Sequence, residues 1–218
     1  MLRRILTLTT VLTALSAPSF AGPIVYNNGA PNSLSGNEMT QWIQAEDFTL
    51  AATTDIGDVH FWAHDITTGL TAYQGSITWQ IYANAAGQPG ALLASGSASP
   101  TPVFDHLHSV GSSFAFDFDI PTFTAVGGTR YWLGLHNGPL TTDNLFVLGW
   151  ETTAPNGTSL GMEDRTPFDG SWSGNFSEHA FYLTGVDDAA AVPEPSTLLL
   201  IGPGFAALAR RFRRRNQA

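Results

Sequence analysis

Asp105-His106-Leu107-His108 is the part of this 218-residue chain whose residue types and spacing come closest to metal chemistry. On a strand, residues i and i+2 share a face. His106 and His108 therefore project together and can chelate zinc, iron or copper once a third ligand arrives. His60 and His64 share a face in the same way if their strand is regular, with Asp65 adjacent, and His136 and His179 lie near other strand ends. The chain has no cysteine, so a softer thiolate site is excluded. Histidines at this spacing are also common as exposed or hydrogen-bonded side chains, so His106 and His108 stand as candidate metal ligands and no more.

Carboxylates come in close pairs: Asp55 and Asp58, Asp117 and Asp119, Glu163 and Asp164, Asp187 and Asp188. Calcium takes oxygen ligands from loops of this kind, which makes Ca2+ the one cofactor to consider. None of the pairs has EF-hand or repeat-loop spacing. Two such acids could also act as general acid and base on a glycosidic bond, but sequence does not fix their separation in space. Gly111-Ser112-Ser113 has a strand after it rather than a helix, which excludes a nucleophile elbow. Aromatic rings offer a different chemistry. Trp62, Trp132 and Trp172 fall on polar phases or in a turn, where a ring could stack on a sugar instead of packing in a core.

The elements that must position these groups read as strands. Val59, Phe61 and Ala63 alternate with His60, Trp62 and His64 over residues 57–66. Ile77, Trp79 and Ile81 alternate over 75–83, and Phe114, Phe116, Phe118 and Ile120 over 114–120, with Asp117 and Asp119 on the opposite face. Further runs lie at 130–136, 145–150 and 179–184. Period-two patterns separated by Gly/Pro turns predict an all-β, antiparallel β-sandwich or jelly-roll-like single domain. The domain spans residues 22–184, and residues 185–192 read as a flexible linker.

Domain and linker together, residues 22–192, hold seventeen of the eighteen acids but only Arg130 and Arg165 of the nine basic residues. So anionic a surface lacks the cationic phosphate contacts that nucleic acid requires. Without disulfides, its stability must come from a hydrophobic core.

Both ends carry delivery signals. Met1-Leu2-Arg3-Arg4 is a basic start, an apolar stretch follows, and Ser19-Phe20-Ala21 presents small residues at a cleavage site. Residues 1–21 therefore read as a secretory signal peptide, helical while it inserts, cut after Ala21 once the Sec translocon has engaged it. At the other end come Pro193-Glu194-Pro195, an apolar span at 197–209 and a basic end at 210–215. The span is about 13 residues, or roughly 20 Å of helix, against the roughly 30 Å of a bilayer core. Arg210, Arg211, Arg213, Arg214 and Arg215 hold that end in the cytoplasm. Such a helix suits a transient insertion into the inner membrane.

These three parts in this order resemble the PEP-CTERM sorting tail of exported bacterial proteins. The resemblance implies that Pro193, Glu194 and Pro195 are the element an exosortase reads before it removes the tail. Pro203, where such tails more often carry Leu or Gly, departs from the pattern without breaking it. The expectation is a non-enzymatic exported protein of a Gram-negative bacterium. Its precursor sits in the inner membrane, and the product lies at the cell surface or in the extracellular polysaccharide matrix, with glycan or calcium as candidate ligand. The alternatives are a secreted enzyme acting on polysaccharide and a structural matrix protein without a ligand.

Overall fold

A computed structural model describes residues 22–67, 69–142, 148–157 and 160–186. The signal peptide, most of the linker and the whole sorting tail lie outside the described residues, as do Asp187 and Asp188. Thirteen strands follow one another: β1 (Ile24–Gly29), β2 (Gly36–Glu38), β3 (Trp42–Thr49), β4 (Thr54–Asp65), β5 (Ile77–Ala85), β6 (Gln88–Ala98), β7 (Val103–His108), β8 (Gly111–Ala125), β9 (Arg130–Asn137), β10 (Leu148–Glu151), β11 (Met162–Arg165), β12 (Ser173–Gly174) and β13 (Phe181–Gly185). Among the described residues there is no helix, so none long and apolar enough to cross a membrane.

The strands form two antiparallel sheets. In the first, β4 is central. Along one edge it pairs with β8, and β8 with β7; along the other it pairs with β13 and then with β10. Strand β1 flanks β13, and β2 flanks β10. The second sheet runs β12-β11-β3-β9-β5-β6.

The alternating patterns explain the packing. Phe61 opposes Phe116 and Val59 opposes Phe118 across β4 and β8. Their inward side chains meet Phe48, Leu133 and Trp79 of the second sheet in one buried cluster. Phe61 stacks on Phe116 at 4.7 Å and meets the edge of Trp150 at 6.1 Å. Each fully buried large apolar side chain contributes roughly 1.5–3 kcal/mol of transfer free energy, so this sandwich core supplies what disulfides do not. The β5–β6 hairpin turns at Ala86 and Gly87, both left-handed (φ 53° and 89°), as a two-residue turn matched to strand twist requires.

Strand β3 is central to the second sheet, yet its sequence shows no apolar alternation. Gln44 and Glu46 are buried on it. Glu46 meets His179 from the β12–β13 connection, and the Gln44 side chain bonds the Glu38 carbonyl and Asn175. Hydrogen bonds take the place of hydrophobicity there, which hides the strand from pattern reading.

Candidate functional site

On the outer face of the first sheet, β4, β7, β8 and β10 bring four polar side chains together. His64 on β4 stands opposite Ser113 of β8 on one side and Gly149 of β10 on the other. His106 of β7 pairs with Ser113, and His108 ends the strand opposite Gly111. Glu151 follows Trp150, whose ring fills the core, so the alternation of β10 sends Glu151 to the outer face. Donor atoms of His64, His108 and Glu151 lie within 4.8 Å of one another. The two imidazoles stack at 4.1 Å, their planes 10° apart.

All three are buried: His64 is 4%, His108 5% and Glu151 0% exposed. Room for the His64 ring comes from glycine. A Cβ at Gly36 would lie 2.5 Å from His64 Cε1, and one at Gly149 2.6 Å from the same atom. Burial and then the neighbouring His108 lower His64 to about 4. Burial and then His106 lower His108. Burial pushes Glu151 up, with Ser113 and His106 opposing it. Both oxygens of Glu151, His108 Nε2 and His64 Nδ1 are buried without a hydrogen-bond partner.

The His106 ring is engaged differently. Its Nδ1–H donates to Asp105 at 2.7 Å. Nε2 then accepts the Ser33 hydroxyl at 2.8 Å and lies 3.6 Å from Glu151 Oε2. Ser33 is itself left-handed (φ 59°) in the loop that leads to β2. Of the two histidines singled out by spacing, the structure thus brings His108 into the cluster and sets His106 beside it. His60 is elsewhere, stacked on Tyr182 at 4.1 Å and paired with Asp117. Asp65 turns away from His64, its oxygens accepting Thr67 and Ala72 amides. His136 bonds the Gly138 carbonyl, and His179 is buried against Glu46.

The three tryptophans separate. Trp132 is fully buried, its indole N–H donating to Asn84, so it has no open face for a sugar; it sits on a polar phase because that phase is covered. Trp62 is half-buried on the outer face of the first sheet, 5.8 Å from Tyr182. Trp172 is half-buried on the outer face of the second, with Tyr82 and Trp132 in the same small apolar cluster.

Trp172 and Tyr82 meet edge to face at 5.3 Å and border a groove of about 280 Å3, also lined by Gln80, Asp164, Phe168 and Asp169. Tyr82 donates its hydroxyl hydrogen to Gln80 at 2.7 Å. Asp164 is buried; Oδ2 accepts the Gly170 amide at 2.9 Å while Oδ1 has no partner. Burial pushes its carboxyl up. Phe168 is left-handed (φ 61°) in the loop over this face, a conformation that costs a non-glycine residue about 1 kcal/mol or more and persists only where its surroundings hold it.

Among the acid pairs, Asp119 is raised by its hydrogen bond to Asp58 across β4 and β8. Asp55 bonds Thr124, and Glu163 faces Gln44. Among the described residues, the one group of three or more metal-ligating side chains is the histidine–glutamate cluster. Glu151 and Tyr82 were not legible as site residues, and Asp164 was visible only as half of an acid pair with Glu163. Glu151 has no partner within reach along the sequence, and Tyr82 reads as one more strand aromatic.

Residues 191–215 match a PEP-CTERM protein-sorting motif, an exosortase recognition signal that indicates an exported protein with a membrane-anchored precursor. No curated protein matches the chain.

Proposed function

We propose that the exported body is a non-catalytic polysaccharide-binding domain, placed by exosortase processing at the cell surface or in the extracellular matrix of a Gram-negative bacterium. The groove under Trp172 carries this reading. It joins two ring walls to a buried carboxylate oxygen that has no partner, and a sugar presents an apolar ring face edged with hydroxyl donors. Its size is near the lower end of small-ligand pockets, about 300–1,000 Å3, and suits one residue of a longer chain. A neutral or basic glycan fits best, because the body is strongly anionic and repels acidic polymers.

The test is tryptophan fluorescence and calorimetry against a panel of bacterial and plant polysaccharides, with reducing ends measured in parallel. Binding that quenches or shifts emission, and weakens roughly tenfold in Trp172→Ala and Asp164→Asn (about 1.4 kcal/mol), supports the reading. Release of reducing ends points instead to the enzyme. Binding to no glycan, with both variants like wild type, leaves the ligand-free matrix protein.

A further inference from the structure

We propose that His64, His108 and Glu151 bind one divalent first-row transition-metal ion, zinc in the first instance, on the outer face of the first sheet. Three independent observations meet there. The donor atoms converge within 4.8 Å from strands β4, β7 and β10, which lie far apart in sequence. The side chains are more than nine-tenths buried, and neither oxygen of Glu151 nor Nε2 of His108 has a partner in hydrogen-bond geometry, with Ser113 close by and His106 Nε2 3.6 Å from Glu151 Oε2. Two glycines, Gly36 and Gly149, keep the space that the His64 ring occupies. A buried carboxylate with neither oxygen bonded is costly unless paired or bound to a cation.

The donor set selects the ion. Two imidazoles and one carboxylate suit zinc, iron, copper or nickel; calcium and magnesium want oxygen cages. Donors on a tetrahedral zinc with bonds of about 2.0–2.2 Å sit about 3.3 Å apart. Binding therefore draws the three atoms inward by up to about 1.5 Å and turns one imidazole out of the stacked arrangement, since each ring donates in its own plane.

His106 is not a fourth ligand, because Nε2 already accepts the Ser33 hydroxyl. The fourth coordination position is left to water or an added ligand. One proton must move. His108 Nδ1 now accepts the Val110 amide at 3.3 Å. Coordination through Nε2 requires the ring proton on Nδ1, which gives up the Val110 amide bond and donates instead to Ser109 Oγ, 3.5 Å away. The ion would tie the β7–β8 hairpin and β10 to β4, a cross-link for a chain that has no disulfide.

The test uses the full chain, purified in detergent, stripped with a chelator and dialysed against Zn2+. One zinc per chain is expected, with a raised melting temperature. Glu151→Gln, which is isosteric, and His108→Gln should each weaken zinc binding on the order of 100-fold or more. His60→Gln, on the same sheet face, should leave it unchanged. Absence of stoichiometric zinc overturns the proposal; so does zinc binding by folded Glu151→Gln and His108→Gln equal to wild type, or an equal loss in His60→Gln. If either ligand variant fails to melt cooperatively, a Co2+ titration of the wild-type chain decides. Intense visible bands of a four- or five-coordinate imidazole-ligated ion support the site, and the weak bands of an octahedral, oxygen-ligated ion refute it.

Discussion

Glu46 and His179 show how one buried contact sets a pH response. Glu46 Oε2 lies 2.8 Å from His179 Nδ1 and accepts the His179 backbone amide at 2.9 Å; both side chains are fully buried. Burial holds Glu46 well above its ordinary 4.5 and His179 down at about 3 instead of 6.5. With His179 Nε2–H donating to Asn37, Nδ1 is a bare acceptor and the pair shares the Glu46 proton. The depressed histidine gives stability that is full above pH 6.5 and is lost as pH falls toward 3. The raised carboxyl gives stability that is full below 4.5 and is lost as pH rises through its folded value. Between pH 4.5 and 6.5 the two slopes oppose each other, and below 4.5 the histidine's loss stands alone. Denaturant unfolding of the wild type and of Glu46→Gln, compared across the pH range, isolates the pair's share. Glu46→Gln should flatten the alkaline limb while the acidic limb persists; an unchanged alkaline limb would place the proton elsewhere.

At the scale of elements, glycines in β2 and β10 decide whether the histidine cluster can form. A Cβ at Gly149 meets the His64 ring, and one at Gly36 meets both that ring and the Trp150 carbonyl at 2.7 Å. Gly149→Ala should cost roughly 1–3 kcal/mol, as overpacking of a filled site does, and Gly36→Ala more, because a backbone carbonyl cannot turn aside. Chemical denaturation measures both, and a neutral Gly149→Ala would mean that His64 rotates freely.

The same elements explain what could be read in advance. Strands β4 and β8 announce themselves, because their core residues alternate with residues on the outer face. The hairpin at Ala86-Gly87 announces itself through its turn. Strand β3 does not, because Gln44 and Glu46 are buried by hydrogen bonds that only the folded chain supplies. Within the histidine cluster, His108 was visible as half of a His-x-His. His64 was visible only beside His60 and Asp65, not as a partner of His108, and Glu151 was not visible at all, since both arrive on strands whose register no local spacing encodes. Trp172 was visible as a turn tryptophan, whereas Trp132 misled because a loop covers the outer face on which it sits.

For the whole molecule, charge and architecture agree on division of labour. Almost all of the acid lies in the sandwich and most of the base in the two ends. The basic C-terminal end holds the tail on the cytoplasmic side, and the anionic body is the part that leaves. The sorting motif at 191–215 begins five residues beyond Val186, the last described residue of the sandwich side.

The central claim is that the sandwich is delivered and the ends are removed. Intact mass measurement of the protein recovered from the cell surface tests this most directly, compared with a variant carrying Pro193→Ala, Glu194→Ala and Pro195→Ala. The account predicts a wild-type product that starts at Gly22 and has lost the apolar and basic segments, and a variant retained in the inner membrane with residues 197–215 still attached. A full-length wild-type chain in the cytosol, or a variant trimmed like the wild type, would contradict it.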